Sequence, residues 1–463
     1  MVGPTATAIF HRSPLWLQDA ATSAYGWKLR RARYGGEHGS ALAKLAESDY
    51  ASADALDRLQ NGLLRETVGQ AIKNVPYYRD KIRLDDEDVR SLRVEQLHNA
   101  FPPLPKTIVR EQPARFCSEA VKAPMIIHTS GSTGSPLPVA TTKIAIQHNY
   151  AFFARFLNWH GVSPFDESAT FAGRMFVGPK RESQRQWRRN AAMHDTLYSS
   201  YHLTNDNIPD YVREMERRQP RYIDAYPSSI YRIASFIESE GIVHNIRPRV
   251  IITSSETLLS QQRELVERVF ACPVRDQYGS AEMAGFFAEC ERGHLHIASE
   301  YGIVEIVDSQ GTPLPPGQLG HLCLTGFINP AMPLIRYLIG DTARLSLRAC
   351  DCGRASPVVD SIEGRTDDII VTPTGRHVGR LDPAFKGVVG VKESQIVQTT
   401  VDRVVVKIVR DNSRNFDPAG LIENLQERLD KEMKISIEFV SAIPRETNGK
   451  FRSVKSMLAI GTD

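Results

Sequence analysis

Long apolar runs are missing from this 463-residue chain. No stretch approaches the roughly 20 apolar residues of a membrane span, and the first residues lack the early positive charge and unbroken apolar core of a secretory leader. Net charge is nearly absent too. Its value of +3, left by 57 Lys/Arg against 54 Asp/Glu, gives no general nucleic-acid or membrane signature. Cysteine is sparse, six in all, which argues against a disulfide scaffold and for a cytoplasmic chain. There is no internal repeat, no low-complexity tract and no Gly-Lys-Ser/Thr of a Walker phosphate loop. What remains is an ordinary soluble composition, 41% hydrophobic and 24% charged, of a length that suits roughly three domains or subdomains.

The organisation changes along the chain. Residues 13–95 read as mostly helical, with Leu45–Ile72 carrying apolar residues at three- and four-residue spacing. After Pro102, Pro103 and Pro105, short apolar strands alternate with helices. Met125–His128, Arg221–Ala225 and Val250–Thr253 are each followed by a polar turn and a helix-like segment, the pattern of an α/β domain with a largely parallel sheet. Near Tyr301–Val307 and His321–Gly326 strands follow one another without helices, which predicts an antiparallel or barrel-like subdomain. From Asp368 onward, strands at Ile369–Val371 and Val404–Val409, a helix at Pro418–Met433 and a final strand at Ile435–Val440 predict a small α+β domain. The expected division is a helical region at 1–100, an α/β core at 101–364, a hinge at 365–368 and a C-terminal lid at 369–463.

Chemistry concentrates in a few segments. Ile126-Ile127-His128 runs into Thr129-Ser130-Gly131-Ser132-Thr133-Gly134-Ser135-Pro136, a loop with no bulky side chain to keep an anion away. Its glycines can take φ > 0 so that successive amides converge on a phosphate. Four further segments follow: Asp276-Gln277-Tyr278-Gly279-Ser280-Ala281-Glu282; Pro333-Leu334-Ile335-Arg336-Tyr337 running to Gly340-Asp341-Thr342; Glu363-Gly364-Arg365-Thr366-Asp367-Asp368; and Pro444-Arg445-Glu446-Thr447-Asn448-Gly449-Lys450. Separately, Cys290, Cys350 and Cys352 with His296, or its rival His294, offer the three thiols and one imidazole of a closed tetrahedral zinc site. Cys117, Cys272 and Cys323 read as core. Phe171, Ala172, Gly173, Tyr226, Pro227 and Ser254 are small or aromatic residues at strand ends, a lining that suits a planar acid. A basic run, Arg174, Lys180, Arg181, Arg185, Arg188 and Arg189 around Trp187, reads as a solvated face before it reads as a phosphate site.

The five motifs, in this order, resemble the adenylate-forming superfamily over nearly the whole chain. The helical leader, Arg33-Tyr34 and Asn74-Val75-Pro76-Tyr77-Tyr78 are similar to the branch of phenylacetate–CoA ligase, coenzyme F390 synthetase and CapK. The resemblance implies a large adenylation domain with a small mobile lid. It also implies AMP-forming activation of a carboxylic acid with ATP and Mg²⁺, then transfer to CoA, with an amine, hydroxyl or carrier protein as alternative acceptor. A catalytically silent scaffold is the remaining alternative. By the same resemblance Thr129, Ser130, Gly131, Ser132, Thr133 and Gly134 hold phosphates, Glu282 binds Mg²⁺ and Tyr278, with Gly279 and Ser280, lies at the adenine. Ser255 and Glu256 line the nucleotide, Asp341 takes the ribose hydroxyls, Arg365 contacts ribose or phosphate, Lys450 is the mobile catalytic cation and Asp367 the hinge. The branch favours His296 in the zinc set. Leu137 and Pro138 stand where many members have a lysine after the loop. Expected partners are small molecules alone, with no nucleic acid and no membrane, on a monomer or homodimer.

Overall fold

The computed structural model describes residues 9–122, 124–129, 137–172, 185–363, 370–378, 381–385, 388–411, 415–444 and 452–458. Helices α1 (Leu15–Tyr34), α2 (His38–Ser48) and α3 (Ala53–Asn74) open the chain. The periodic stretch 45–72 is thus two helices rather than one. The break comes at Ser52, whose extended backbone and hydroxyl, accepting from the Ala55 amide, cap α3.

The centre is one mixed 13-stranded sheet. Its parallel half contains β4 (Ser168–Ala172), β6 (Asp195–Ser199), β7 (Tyr222–Ala225), β8 (Val250–Ser254) and β9 (Val274–Gly279), ordered β9-β8-β7-β4-β6, with β5 (Trp187–Asn190) antiparallel at the edge. α5 (Ile208–Arg218), α6 (Pro227–Ser239) and α7 (Ser260–Phe270) bury Ile208, Tyr211, Ile230, Ile233 and Val266 against these strands. β9 pairs parallel with β8 and antiparallel with β10 (Phe286–Glu289). Beyond it β11 (Leu295–Ile297), β15 (Val358–Glu363), β14 (Tyr337–Leu345), β13 (Leu319–Gly326) and β12 (Gly302–Val307) follow, all antiparallel. The strands expected to form a separate subdomain therefore continue the large sheet through β10.

The strand Met125–His128 also differs from expectation. Rather than joining the parallel sheet, β2 (Met125–His128) pairs antiparallel with β3 (Pro138–Thr141) in a two-stranded sheet of its own. The chain turns back because Leu137–Thr141 is itself an apolar strand, and α4 (Lys143–Trp159) begins only after it, capped by Thr142.

After residue 369 a separate sheet, ordered β20-β19-β18-β21, is built from β18 (Val391–Thr400), β19 (Arg403–Arg410), β20 (Lys434–Phe439) and β21 (Val454–Ser456). Its helix, α8, spans Pro418–Gln426, shorter than the 418–433 expected. The Arg376 guanidinium explains the early end: it takes the carbonyls of Arg428 and Leu429 and pairs with Asp430 at 2.8 Å, drawing these groups out of a helical ladder. The core of this unit includes one outsider, Tyr201, from the turn after β6.

Candidate active site

The expected site residues gather on the C-terminal ends of four neighbouring parallel strands, Ala172 on β4, Tyr226 after β7, Ser254 on β8 and Tyr278 on β9. Such strand ends flank the crevice in which open α/β sheets bind ligands. Ser255 stands there at φ +74°, a strained left-handed conformation for a non-glycine residue. Glu256 has a local task. Its carboxylate accepts from the Ser228 amide at 3.0 Å and hydroxyl at 3.1 Å, capping α6 just after Pro227. Phe171 is fully buried, stacked on Tyr198 with ring centroids 4.6 Å apart, and so belongs to the core beneath the crevice.

At the parallel–antiparallel junction, the Tyr278 hydroxyl donates to Asp341 Oδ2 at 2.6 Å, joining two motifs 63 residues apart. The turn after β9 then carries Gly279, Ser280 and Glu282. Among the described residues the buried Ser280 hydroxyl finds no protein partner. Glu282 is buried, and its Oε1 accepts from Lys106 Nζ at 2.8 Å and from the Tyr337 hydroxyl at 3.0 Å. Burial alone would raise its carboxyl, but the Lys106 ammonium and the Tyr337 hydroxyl outweigh it and hold Glu282 below its ordinary value. Both contacts fall on Oε1; Oε2 takes part in neither.

Sequence reasoning missed Lys106 altogether and gave Tyr337 no role. The fold explains their position. The two-residue strand β1 (Leu104–Pro105) pairs parallel with β14, Leu104 opposite Tyr337, which delivers the next residue, Lys106, to Glu282. Arg336 locks this arrangement. Buried and at φ +50°, it donates to the carbonyls of Phe101 and Gly311 and pairs with Glu305 at 2.9 Å. A proline-rich entry followed by Lys106 was the available signal, but no local pattern names its partner.

Thr129 closes the base of the Ser/Gly loop, its amide donating to the Leu137 carbonyl at 3.0 Å and its hydroxyl accepting from the Leu137 amide at 2.9 Å. Ser130, Gly131, Ser132, Thr133, Gly134, Gly173, Arg365, Asp367 and Lys450 lie outside the described residues, as do Arg174, Lys180 and Arg181 of the basic run. The rest of that run is structural: Arg185 pairs with Asp19, Arg188 with Gln18 and Arg189 with Glu167.

Asp276, at the start of the Tyr278 motif, was given no role. Burial pushes its carboxyl up to about 7, against the Thr253 hydroxyl that donates to it at 2.6 Å.

The second polar cluster lies at the far ends of β10 and β14 from Glu282 and Tyr337. Cys290 follows β10, His296 is on β11, and Cys350 and Cys352 lie in the turn between β14 and β15; their ligand atoms all fall within 4.8 Å of one another. The Cys290 and Cys350 sulfurs are 3.7 Å apart and Cys352 Sγ is 3.4 Å from His296 Nε2. A tetrahedron with Zn–S bonds of 2.3 Å has an S···S edge of about 3.8 Å, so the spacing fits zinc. His296 Nδ1 lies 3.1 Å from the Ser356 carbonyl, which turns Nε2 toward the thiols as in metal-binding histidines. His294 instead falls in an exposed group with Cys350 and Asp351.

Residues 370–457 match the CapK C-terminal domain family. The protein CapK of Staphylococcus aureus is 28% identical over 450 residues, 96% of this chain and 98% of that protein. The chain is thus similar to the branch of the adenylate-forming superfamily that holds CapK and the phenylacetate–CoA ligases. Within that branch, the phenylacetate–coenzyme A ligase of Thermus thermophilus is 26% identical over 69% of this chain and 72% of its own. In fold, 2-hydroxyisobutyryl-CoA ligase, solved with 2-HIB-AMP and CoA, superposes with a TM-score of 0.57 at 20% identity, covering 89% of this chain and 91% of that one.

Proposed function

We propose that this protein activates a carboxylic acid with ATP, releasing pyrophosphate, and passes the acyl group to CoA. The observation that carries the reading is the convergence of Tyr278, Asp341 and Glu282 at the junction of the two sheet halves. The similarity to phenylacetate–CoA ligases supports CoA as acceptor. An amine, hydroxyl or carrier-protein acceptor is the second reading. It is left open by the fuller match to CapK, 96% of the chain against about 70% for the ligases, since that relative's name states no acceptor.

In this reading the acid's oxygen attacks the α-phosphorus as the bond to pyrophosphate breaks. The requirement is for fixed cationic and hydrogen-bonding groups where charge develops, more than for an acid or base. Asp341, aligned by Tyr278, accepts from the ribose hydroxyls. The Ser280 hydroxyl, which lacks a described protein partner, suits a polar group of the nucleotide. Lys450 supplies the cation at the reacting carboxylate, Arg365 steadies ribose or phosphate and Asp367 serves as hinge. Phe171 supports the acid pocket from beneath, with Gly173, Tyr226, Pro227 and Ser254 around it and Ser255 and Glu256 shaping the edge next to the nucleotide. Glu282, ionised with Oε2 outside its two contacts, would hold Mg²⁺, which supplies charge neutralisation for the phosphates. Cys290, His296, Cys350 and Cys352 would hold a structural zinc that ties the β10–β11 turn to the β14–β15 turn.

The test is ATP–pyrophosphate exchange with aryl and alkyl acids, followed by acyl transfer with and without CoA. Exchange that depends on one acid is expected, with Lys450→Ala reducing it at least a hundredfold. No acid-dependent exchange across the panel would sink the reading; a near wild-type Lys450→Ala would sink only the role of Lys450.

A further inference from the structure

Helix α1 packs with its polar side inward. Among its inward-facing residues are Gln18, which meets Arg188; Asp19, which pairs with Arg185; Ser23, whose hydroxyl bonds the Arg189 carbonyl; and Gly26. At Gly26 an added Cβ would stand 1.9 Å from the Asn190 side chain, so the side chain of Asn190 on edge strand β5 lies directly against the helix backbone. With its polar and small residues consumed there, the opposite side of α1 faces solvent. It carries Trp16 (70% exposed), Leu17 (41%) and Trp27 (56%), with Ala20 and Ala24 between them and Ile9 (63%) just before the helix; Tyr25 (54%) is exposed on the flank, roughly 160° around the helix from Trp27. Trp16 and Trp27 are separated by three turns and about 20°, so they mark one side along roughly 16 Å of helix. Two of the chain's four tryptophans thus stand in water on a single helix. This inverts the usual surface helix, whose apolar stripe faces the core.

The charges on and beside this face have one sign. Arg12, Lys28 and Arg31 are exposed, and the one carboxylate of α1, Asp19, is turned inward and paired. At the C-terminal end Trp27, Arg30, Arg31, Tyr34, Gly35 and Ala192 line a cavity of about 270 Å³, with the Arg31 guanidinium 4.8 Å over the Trp27 ring. Aromatic rings, aliphatic side chains and cations, with a small two-arginine recess beside them, are what an anionic lipid surface recognises. Guanidinium groups suit its phosphates. A second copy of the chain would bring no carboxylate on this face to meet these cations.

We infer that α1 is an interfacial docking helix that seats the protein on anionic lipid bilayers, in the plane of the headgroups. No helix among the described residues is long and apolar enough to cross a membrane, and the expectation of no membrane partner rested on the lack of such a segment and on the small net charge; lying on a bilayer needs neither a spanning segment nor a charged whole, only a local basic and apolar face.

The experiment is co-sedimentation of the full chain with vesicles of phosphatidylcholine alone or with 30% phosphatidylglycerol (roughly the anionic fraction that attracts basic surface helices), read with tryptophan fluorescence. The expected result is binding to the anionic vesicles at least tenfold stronger than to the neutral ones. It should weaken at high salt, shift emission to the blue and fall at least tenfold in Trp16→Ser/Trp27→Ser with an unchanged melting midpoint. Lys28→Gln/Arg31→Gln should abolish the preference for anionic lipid while leaving the melt unchanged. Absent or charge-indifferent binding overturns the inference, as does binding that survives the tryptophan change. A two-chain species that becomes a single chain in Trp16→Ser/Trp27→Ser, without vesicle binding, would assign the face to self-association instead.

Discussion

Two polar clusters sit at opposite ends of β10 and β14 and solve the burial problem differently. Around Glu282 the charge is balanced inside the protein, by Lys106 and Tyr337. Around Cys290, three thiols and an imidazole face one another, and the Arg354 guanidinium beside Cys352 offsets the charge of one thiolate at most. A cluster that is already neutralised can exchange one partner for a ligand and relax back. A cluster of donors alone is held together by whatever ion it takes. The first arrangement suits a site that cycles, the second a site that stays filled.

Breaking the Glu282 balance should have the larger effect. Lys106→Met leaves a buried carboxylate uncompensated and is expected to cost about 3–5 kcal/mol of stability, whereas Lys106→Met/Glu282→Gln should recover most of it while remaining inactive. Urea melts of the two variants check this, and equal losses in both would mean that Lys106 contributes packing rather than charge. Next in size is the thiol cluster. Stripping an ion present at a hundredfold over its Kd should cost about 2.7 kcal/mol. Metal analysis should find about one equivalent of zinc in protein never exposed to chelator and none in Cys350→Ser/Cys352→Ser. The last effect concerns Asp276 and shows only as a dependence on pH. Its folded-state carboxyl lies at about 7, above the ordinary 3.8. It therefore contributes stability that is full below pH 4 and is lost as pH rises through 7. Asp276→Asn should flatten the stability profile across that window and nowhere else.

The two clusters also differ in how far the sequence exposes them. The cysteines were legible because each turn presents its ligands within a few residues, whereas the choice of His296 over His294 rested on the family resemblance. The partners of Glu282 lie 176 and 55 residues away, a distance that residue patterns do not span. Strand β18 escaped notice for a related reason. It is a centre strand with polar residues in its interior, such as the buried Gln398, which bonds both the amide and the carbonyl of Val371. The strands β7 and β8 and the antiparallel run from β12 to β13 were readable because apolar residues dominate both faces or alternate cleanly. That β2 would leave the main sheet was not, since pairing depends on where the partner strand starts.

Tyr201 has a mechanical meaning. It belongs to the turn after β6 of the large sheet, yet its ring is 3% exposed, sunk among Ile370, Val378, Leu381 and Phe385 of the C-terminal unit. Any swing of that unit would have to pull an aromatic ring out of a packed socket. A residue so placed acts as a detent: it makes one orientation a discrete resting position rather than one point on a smooth arc, and trimming it to alanine would let the small unit wander.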